Sequence, residues 1–236
     1  MALPKLNESV RYEVQIPSTM KVVTYRPYLV KEEKILLQAH ESNDEKTAMR
    51  AMLDTVVACI YDNVDIDSLT SFDVEYLFTM IRAKSVGETS TLNGVCSAKD
   101  CDGKTDVTIE LSSIDIPTPP KDISNIVEIN PEISIELRYP SYNAFMSNFS
   151  QGMSESEYGL SLINHCILAI LTPNERITEW SQKEMDEFIN SMTSLQFEKL
   201  GDFLGTIPSL KQKVEFTCKK CGHENKLTLE GLQDFF

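Results

Sequence analysis

Phe216-Thr-Cys218-Lys-Lys-Cys221-Gly-His223, set beside Val95-Cys96-Ser-Ala-Lys-Asp-Cys101-Asp-Gly103, decides how this chain is read. In each stretch two cysteines occupy a short turn between strand-like flanks. Such a knuckle presents two thiolates side by side, and two knuckles supply the four sulfurs that a tetrahedral structural zinc takes. Cys96, Cys101, Cys218 and Cys221 are therefore the candidate ligands of one Zn2+. The Cys218-x2-Cys221-Gly spacing is the tighter of the two and Cys96-x4-Cys101 the looser. His223 is a rival ligand that could stand in for Cys96.

The other two cysteines, Cys59 and Cys166, have no partner at ligand spacing, and each falls among apolar residues of a helical pattern. They read as small core hydrophobes. In a reducing compartment six cysteines point to thiols and metal ligands rather than disulfides. No apolar run reaches the ~18 residues of a membrane span, and Met1-Ala-Leu-Pro-Lys5 lacks the regions of a signal peptide, so a cytoplasmic location is expected. The net charge of −14 argues against non-specific nucleic-acid binding, because a carboxylate-rich surface repels phosphate.

Outward from the knuckles, the chain alternates strand and helix signals. Arg11–Ile16 and Lys21–Arg26, joined through Pro17-Ser-Thr, predict a hairpin. Helices are expected after Pro27 as far as Ser42, after the Asn43-Asp44 cap, and from the Ser71 cap to Arg82. Thr105–Leu111 alternates like a strand. Ile114–Asp122 carries three prolines and reads as a linker. Beyond it, Ile126–Ile129 and Ile133–Tyr139 predict a second hairpin. Glu157–Leu171 carries the apolar spacing of a helix, with His165 read as a packed core residue. Ser181 and Glu184 form a capping box that starts another helix, with Trp180 and Met185 as its hydrophobic staple. Thr193-Ser194 caps a last helix, to Leu204.

Setting Thr70–Ile81 over Thr193–Leu204 matches the cap, a glutamate and most apolar positions, and the order of features around them is preserved. The expected fold class is therefore α+β, with two pseudo-repeated halves, each a β-hairpin, several helices and half of a zinc-ribbon-like site. Their bounds are residues 1–113 and 123–236, with 114–122 as the linker. One ion shared by both knuckles would then clasp the halves together.

No phosphate-cradling glycine loop, His-Glu-x-x-His helix or nucleophile elbow is present, and a zinc saturated by four cysteines offers no open position for substrate. A non-enzymatic role is expected. Lys211, Lys213, Lys219, Lys220 and Lys226 make the second knuckle locally basic, which keeps a zinc-ribbon nucleic-acid-binding regulator as the alternative.

Ile16-Pro-Ser-Thr19, Tyr25-Arg-Pro-Tyr-Leu-Val-Lys-Glu-Glu-Lys-Ile-Leu-Leu37 and Phe72-Asp-Val-Glu-Tyr-Leu-Phe78, leading to Arg82-Ala-Lys-Ser-Val-Gly-Glu88, resemble the baseplate hub proteins of T4-like contractile-tailed bacteriophages. The resemblance implies a hub subunit or a hub assembly factor, with other baseplate or tail hub proteins as partners. It places the protein in the host cytoplasm during assembly, or in the virion tail baseplate. Lys31–Lys34 and Arg82–Glu88 become candidate partner surfaces on that reading.

Overall fold

The structure, a computed structural model, describes residues 10–120, 123–148 and 154–235. Met1–Lys5 and the last two linker residues, Lys121 and Asp122, lie outside them. The chain is α+β. Its contacts divide it into two units: Met1–Ile66, Phe72–Thr118 and Ser209–Phe236 form one, and Asp67–Ser71 with Pro119–Pro208 the other. The expected linker thus carries one junction between units, and the hairpin of the second knuckle belongs to the same unit as that of the first.

The first unit opens with the hairpin β1 (Tyr12–Gln15) and β2 (Val22–Tyr25), antiparallel with Tyr12 opposite Tyr25. Pro17-Ser-Thr makes its turn, tied down where the Ser18 N–H donates to the buried carboxylate of Asp73 at 2.8 Å. Helix α1 (Val30–Glu41) follows, and α2 (Glu45–Cys59) begins where the Asp44 side chain accepts from the Thr47 N–H. Arg26 and the end of α2 are joined: the Arg26 N–H donates to the Cys59 carbonyl at 3.0 Å, and its guanidinium reaches the Ala58 carbonyl and Glu32. Cys59 is buried, and that burial pushes its thiol up to about 11.

Helix α3 (Ser71–Ser85) is buried around most of its circumference, with Phe72, Val74, Leu77 and Ile81 all fully enclosed. Enclosure on most sides makes it the core helix of the unit, although it also carries Asp73, Glu75, Arg82 and Lys84. Two further hairpins complete the unit. Strands β3 (Thr89–Val95) and β4 (Lys104–Glu110) pair antiparallel, and Thr105, Val107 and Ile109 alternate inward as the sequence predicts.

The second unit is built on a four-stranded antiparallel sheet in sequence order: β5 (Ile126–Asn130), β6 (Ile133–Leu137), β7 (Ile167–Leu171) and β8 (Arg176–Ile177). Helices α4 (Tyr142–Asn148), α5 (Glu155–Cys166), α6 (Gln182–Asn190) and α7 (Ser194–Leu204) accompany it. Ile135, Leu137, Ile163, Cys166, Met185 and Leu200 lie in its core, with Trp180 packed against them. The expected capping box of Ser181 with Glu184 forms, and the expected Thr193 cap is a capping box too, with Gln196.

One expected helix is cut short. Glu157–Leu171 reads as continuous from its periodicity, yet the chain leaves α5 after Cys166 and Ile167–Leu171 becomes β7, paired on both sides. A short apolar run satisfies either period, and pairing with β6 decides it. His165, expected in the core, is exposed at this junction.

The last hairpin, β9 (Lys211–Thr217) with β10 (Glu224–Glu230), returns to the first unit. Gln212 donates to the Ser113 hydroxyl just beyond β4 at 2.9 Å, and Ser90 in β3 donates to the Phe235 carbonyl at 2.7 Å.

Candidate metal centre

The two knuckles are the turns of these two hairpins. Residues 96–103 connect β3 to β4, and 218–223 connect β9 to β10. The second is a tight turn in which the Gly222 N–H donates to the Cys218 carbonyl at 2.9 Å; Gly222 has φ +75°, a conformation glycine adopts without steric cost. In the longer first knuckle Asp100 takes the left-handed conformation, at φ +67°, and the Cys101 N–H donates to Ala98 at 3.1 Å.

Together they bring the Sγ atoms of Cys96, Cys101, Cys218 and Cys221 within 4.8 Å of one another. Cys96 and Cys221 approach to 3.6 Å, Cys101 and Cys218 to 3.8 Å. Both separations run between hairpins, and both are far longer than the ~2.05 Å of a disulfide. A tetrahedron with metal–sulfur bonds of ~2.3 Å has edges of ~3.8 Å, so these two edges already have the required length. Cys96 and Cys218 are buried, Cys101 is half-buried and Cys221 is exposed, which places the cluster at the edge of its unit.

Gly103 is shaped by this crowding. A Cβ there would stand 2.6 Å from Cys218 Sγ and 3.0 Å from Lys220 Cβ, so only glycine lets the first knuckle come this close to the second. His223, the rival ligand in the sequence, is outside the four-sulfur group; its carbonyl accepts from the Cys218 N–H at 2.8 Å.

Backbone N–H groups of Cys221 and Lys220 draw the Cys218 thiol down to about 6. Cys221 moves the other way: although a backbone bond from His223 favours its thiolate, the surrounding thiols of Cys101, Cys96 and Cys218 push it up to about 12. One thiolate is favoured in this cluster and a second is resisted. A bound divalent cation removes that conflict by neutralising the sulfurs as they ionise.

Polar side chains join the hairpins around the sulfurs. Asn225 of β10, almost fully buried, accepts from the Ser97 N–H at 2.8 Å and the Ser97 hydroxyl at 2.9 Å, and donates to the His223 carbonyl at 2.9 Å. Thr105 of β4, also buried, accepts from the Lys219 N–H at 3.1 Å. Lys220 and Asp102 form an ion pair across the same gap. The sequence carries no sign of the cross-hairpin partners, because each bond between the hairpins joins residues more than 110 positions apart and exists only once the hairpins are side by side.

Over residues 9–236 the sequence matches the family of T4 bacteriophage base plate proteins. The chain belongs to this family. No curated protein and no solved structure matches it. The match takes in both knuckles and every phrase on which the resemblance to baseplate proteins rests. Among the described residues of this baseplate protein, no helix is long and apolar enough to cross a membrane.

The lysines around the second knuckle are largely neutralised in place. Lys211 pairs with Glu230 and Lys226 with Glu215, both at 2.9 Å, and Lys220 with Asp102. The Lys31–Lys34 run is likewise not a uniformly solvated face, because Glu32 turns inward and is 4% exposed, held by Arg26 at 2.8 Å.

Proposed function

We propose that this baseplate protein is a structural or assembly component of the tail hub, stabilised by one zinc ion on Cys96, Cys101, Cys218 and Cys221. The observation that carries the metal is the convergence of four sulfurs from two hairpins within 4.8 Å, with two inter-hairpin edges of tetrahedral length. Four protein ligands fill a tetrahedral ion, leaving no position for water or substrate, so the ion is structural and the protein acts through protein contacts. The sequence phrases around Ile16, Tyr25 and Phe72 support the hub within the family.

The metal's work on this reading is to fasten the hairpin of β9 and β10 to that of β3 and β4. Structural zinc sites contribute binding free energy directly to folding. The nucleic-acid alternative draws on the basic second knuckle, but three of its five lysines are paired with carboxylates, which leaves little free charge for phosphate.

Isolation of the full chain from infected cells tests the role. A stable complex with other tail hub proteins is expected, and its presence in mature particles separates a subunit from a transient assembly factor. Binding to duplex or single-stranded DNA with a steep salt dependence, in the absence of any such complex, would overturn the assembly reading.

A further inference from the structure

Each knuckle of the cluster is held by a side chain from the opposite hairpin. Asn225, on the second hairpin, takes two hydrogen bonds from Ser97 in the first knuckle while donating to His223 in its own. Thr105, on the first hairpin, takes the Lys219 N–H of the second knuckle. Asn225 is 3% exposed and Thr105 6%, so both acceptors are shielded from bulk water, although the donors belong to the exposed residues Ser97 and Lys219. Ser97 follows Cys96 directly and Lys219 follows Cys218 directly. These bonds therefore fix the backbone next to one ligand of each pair.

From this exchange we infer that Asn225 and Thr105 are positioning residues of the metal site: they set the two cysteine pairs at ligand distance before an ion arrives. The inference rests on the four-cysteine zinc reading and goes beyond it by naming non-ligands that determine affinity. Its physical basis is preorganisation. Without these bonds the two knuckles are linked through their hairpins and the solvent-exposed Lys220–Asp102 pair, and the ion must order the backbone beside its ligands as it binds. With the bonds in place, ordering of the backbone beside Cys96 and Cys218 has already been met by folding, and binding free energy is not spent on it. Partners that orient ligands from behind change metal affinity by roughly 10–100-fold when removed.

Thr105 permits a clean test because valine copies its shape and serine restores only its hydroxyl. The full chain, as wild type, Thr105→Val, Thr105→Ser, Asn225→Ala and Asn225→Asp, is titrated with zinc against a chromogenic chelator, and zinc release into excess chelator is timed. Circular dichroism follows the fold of each protein. Wild type binds one zinc. Thr105→Val and Asn225→Ala are expected to lose roughly 10–100-fold in affinity and to release the ion faster, with unchanged secondary structure. Thr105→Ser should stay within a few-fold of wild type, and Asn225→Asp, which keeps the acceptor for Ser97, should fall between Asn225→Ala and wild type. If Thr105→Val fails to fold, the two Asn225 variants carry the comparison. Wild-type affinity and release in both Thr105→Val and Asn225→Ala, or a Thr105→Ser variant as weak as the valine, would overturn the inference while leaving the zinc site intact. A wild-type chain that takes up no zinc would instead overturn the metal reading, and this inference with it.

Discussion

At the scale of single residues, the chain places a few side chains where substitution has a defined cost. Gly103 is one. Its replacement by alanine sets a methyl group 2.6 Å from Cys218 Sγ, a sulfur that on the proposed zinc reading is a ligand and cannot swing aside. Gly103→Ala should therefore weaken metal binding by about 10-fold or more, as disturbed surroundings of a ligand do, which chelator competition would read. Glu32 is another. It is 4% exposed, and besides its pair with Arg26 it accepts from the Leu29 N–H at 2.9 Å. Burial alone would raise its pKa, but the bonds from Arg26, Leu29 and Lys31 outweigh that and hold it below its ordinary 4.5. Because the folded value lies below the unfolded one, its stabilisation is complete above the unfolded value and is lost as pH falls through the folded one. Glu32→Gln should cost about 3 kcal/mol in urea unfolding at neutral pH, the low end for a broken buried pair, since Arg26 keeps its bonds to Pro27 and Ala58. The variant should also lose less stability than wild type on acidification.

The elements show which signals a sequence carries and which it does not. Local chemistry was legible. Asp44 caps α2, Ser181 and Thr193 start α6 and α7 with capping boxes, and the alternation of β4 puts Thr105, Val107 and Ile109 inside. Thr193→Ala should accordingly lower stability by about 1 kcal/mol, measured by chemical denaturation, because it strips the acceptor from the Gln196 N–H. Long-range pairing was not legible. Ile167–Leu171 carries helical spacing, yet it lies between β6 and β8 and is therefore a strand, while the exposure of His165 follows from where α5 stops. The gathering of Cys96, Cys101, Cys218 and Cys221 could be read because cysteine at knuckle spacing is a rare and specific pattern. Thr105 and Asn225 could not, since a threonine or asparagine in a strand has no signature until its partner more than 110 residues away is known.

Over the whole molecule, the two cysteine hairpins are separated in sequence by the second unit but belong to one unit in space. The order of features that suggested two pseudo-repeated halves follows the chain, whereas the contacts gather its beginning and end. A metal on these four sulfurs then fastens the C-terminal hairpin into the first unit. Removing it with a strong chelator should lower the melting temperature and raise amide exchange in β3, β4, β9 and β10, while β5–β7 keep their protection. Uniform loss of protection across both units would contradict a local fastening. The central claim, one zinc held by four cysteines, meets its most direct test in the metal content of the purified full chain, by elemental analysis, beside Cys218→Ser and Cys221→Ser. One zinc per chain in wild type and little or none in either variant is the predicted result; a wild-type chain without zinc, or variants that keep it in full, would contradict the account.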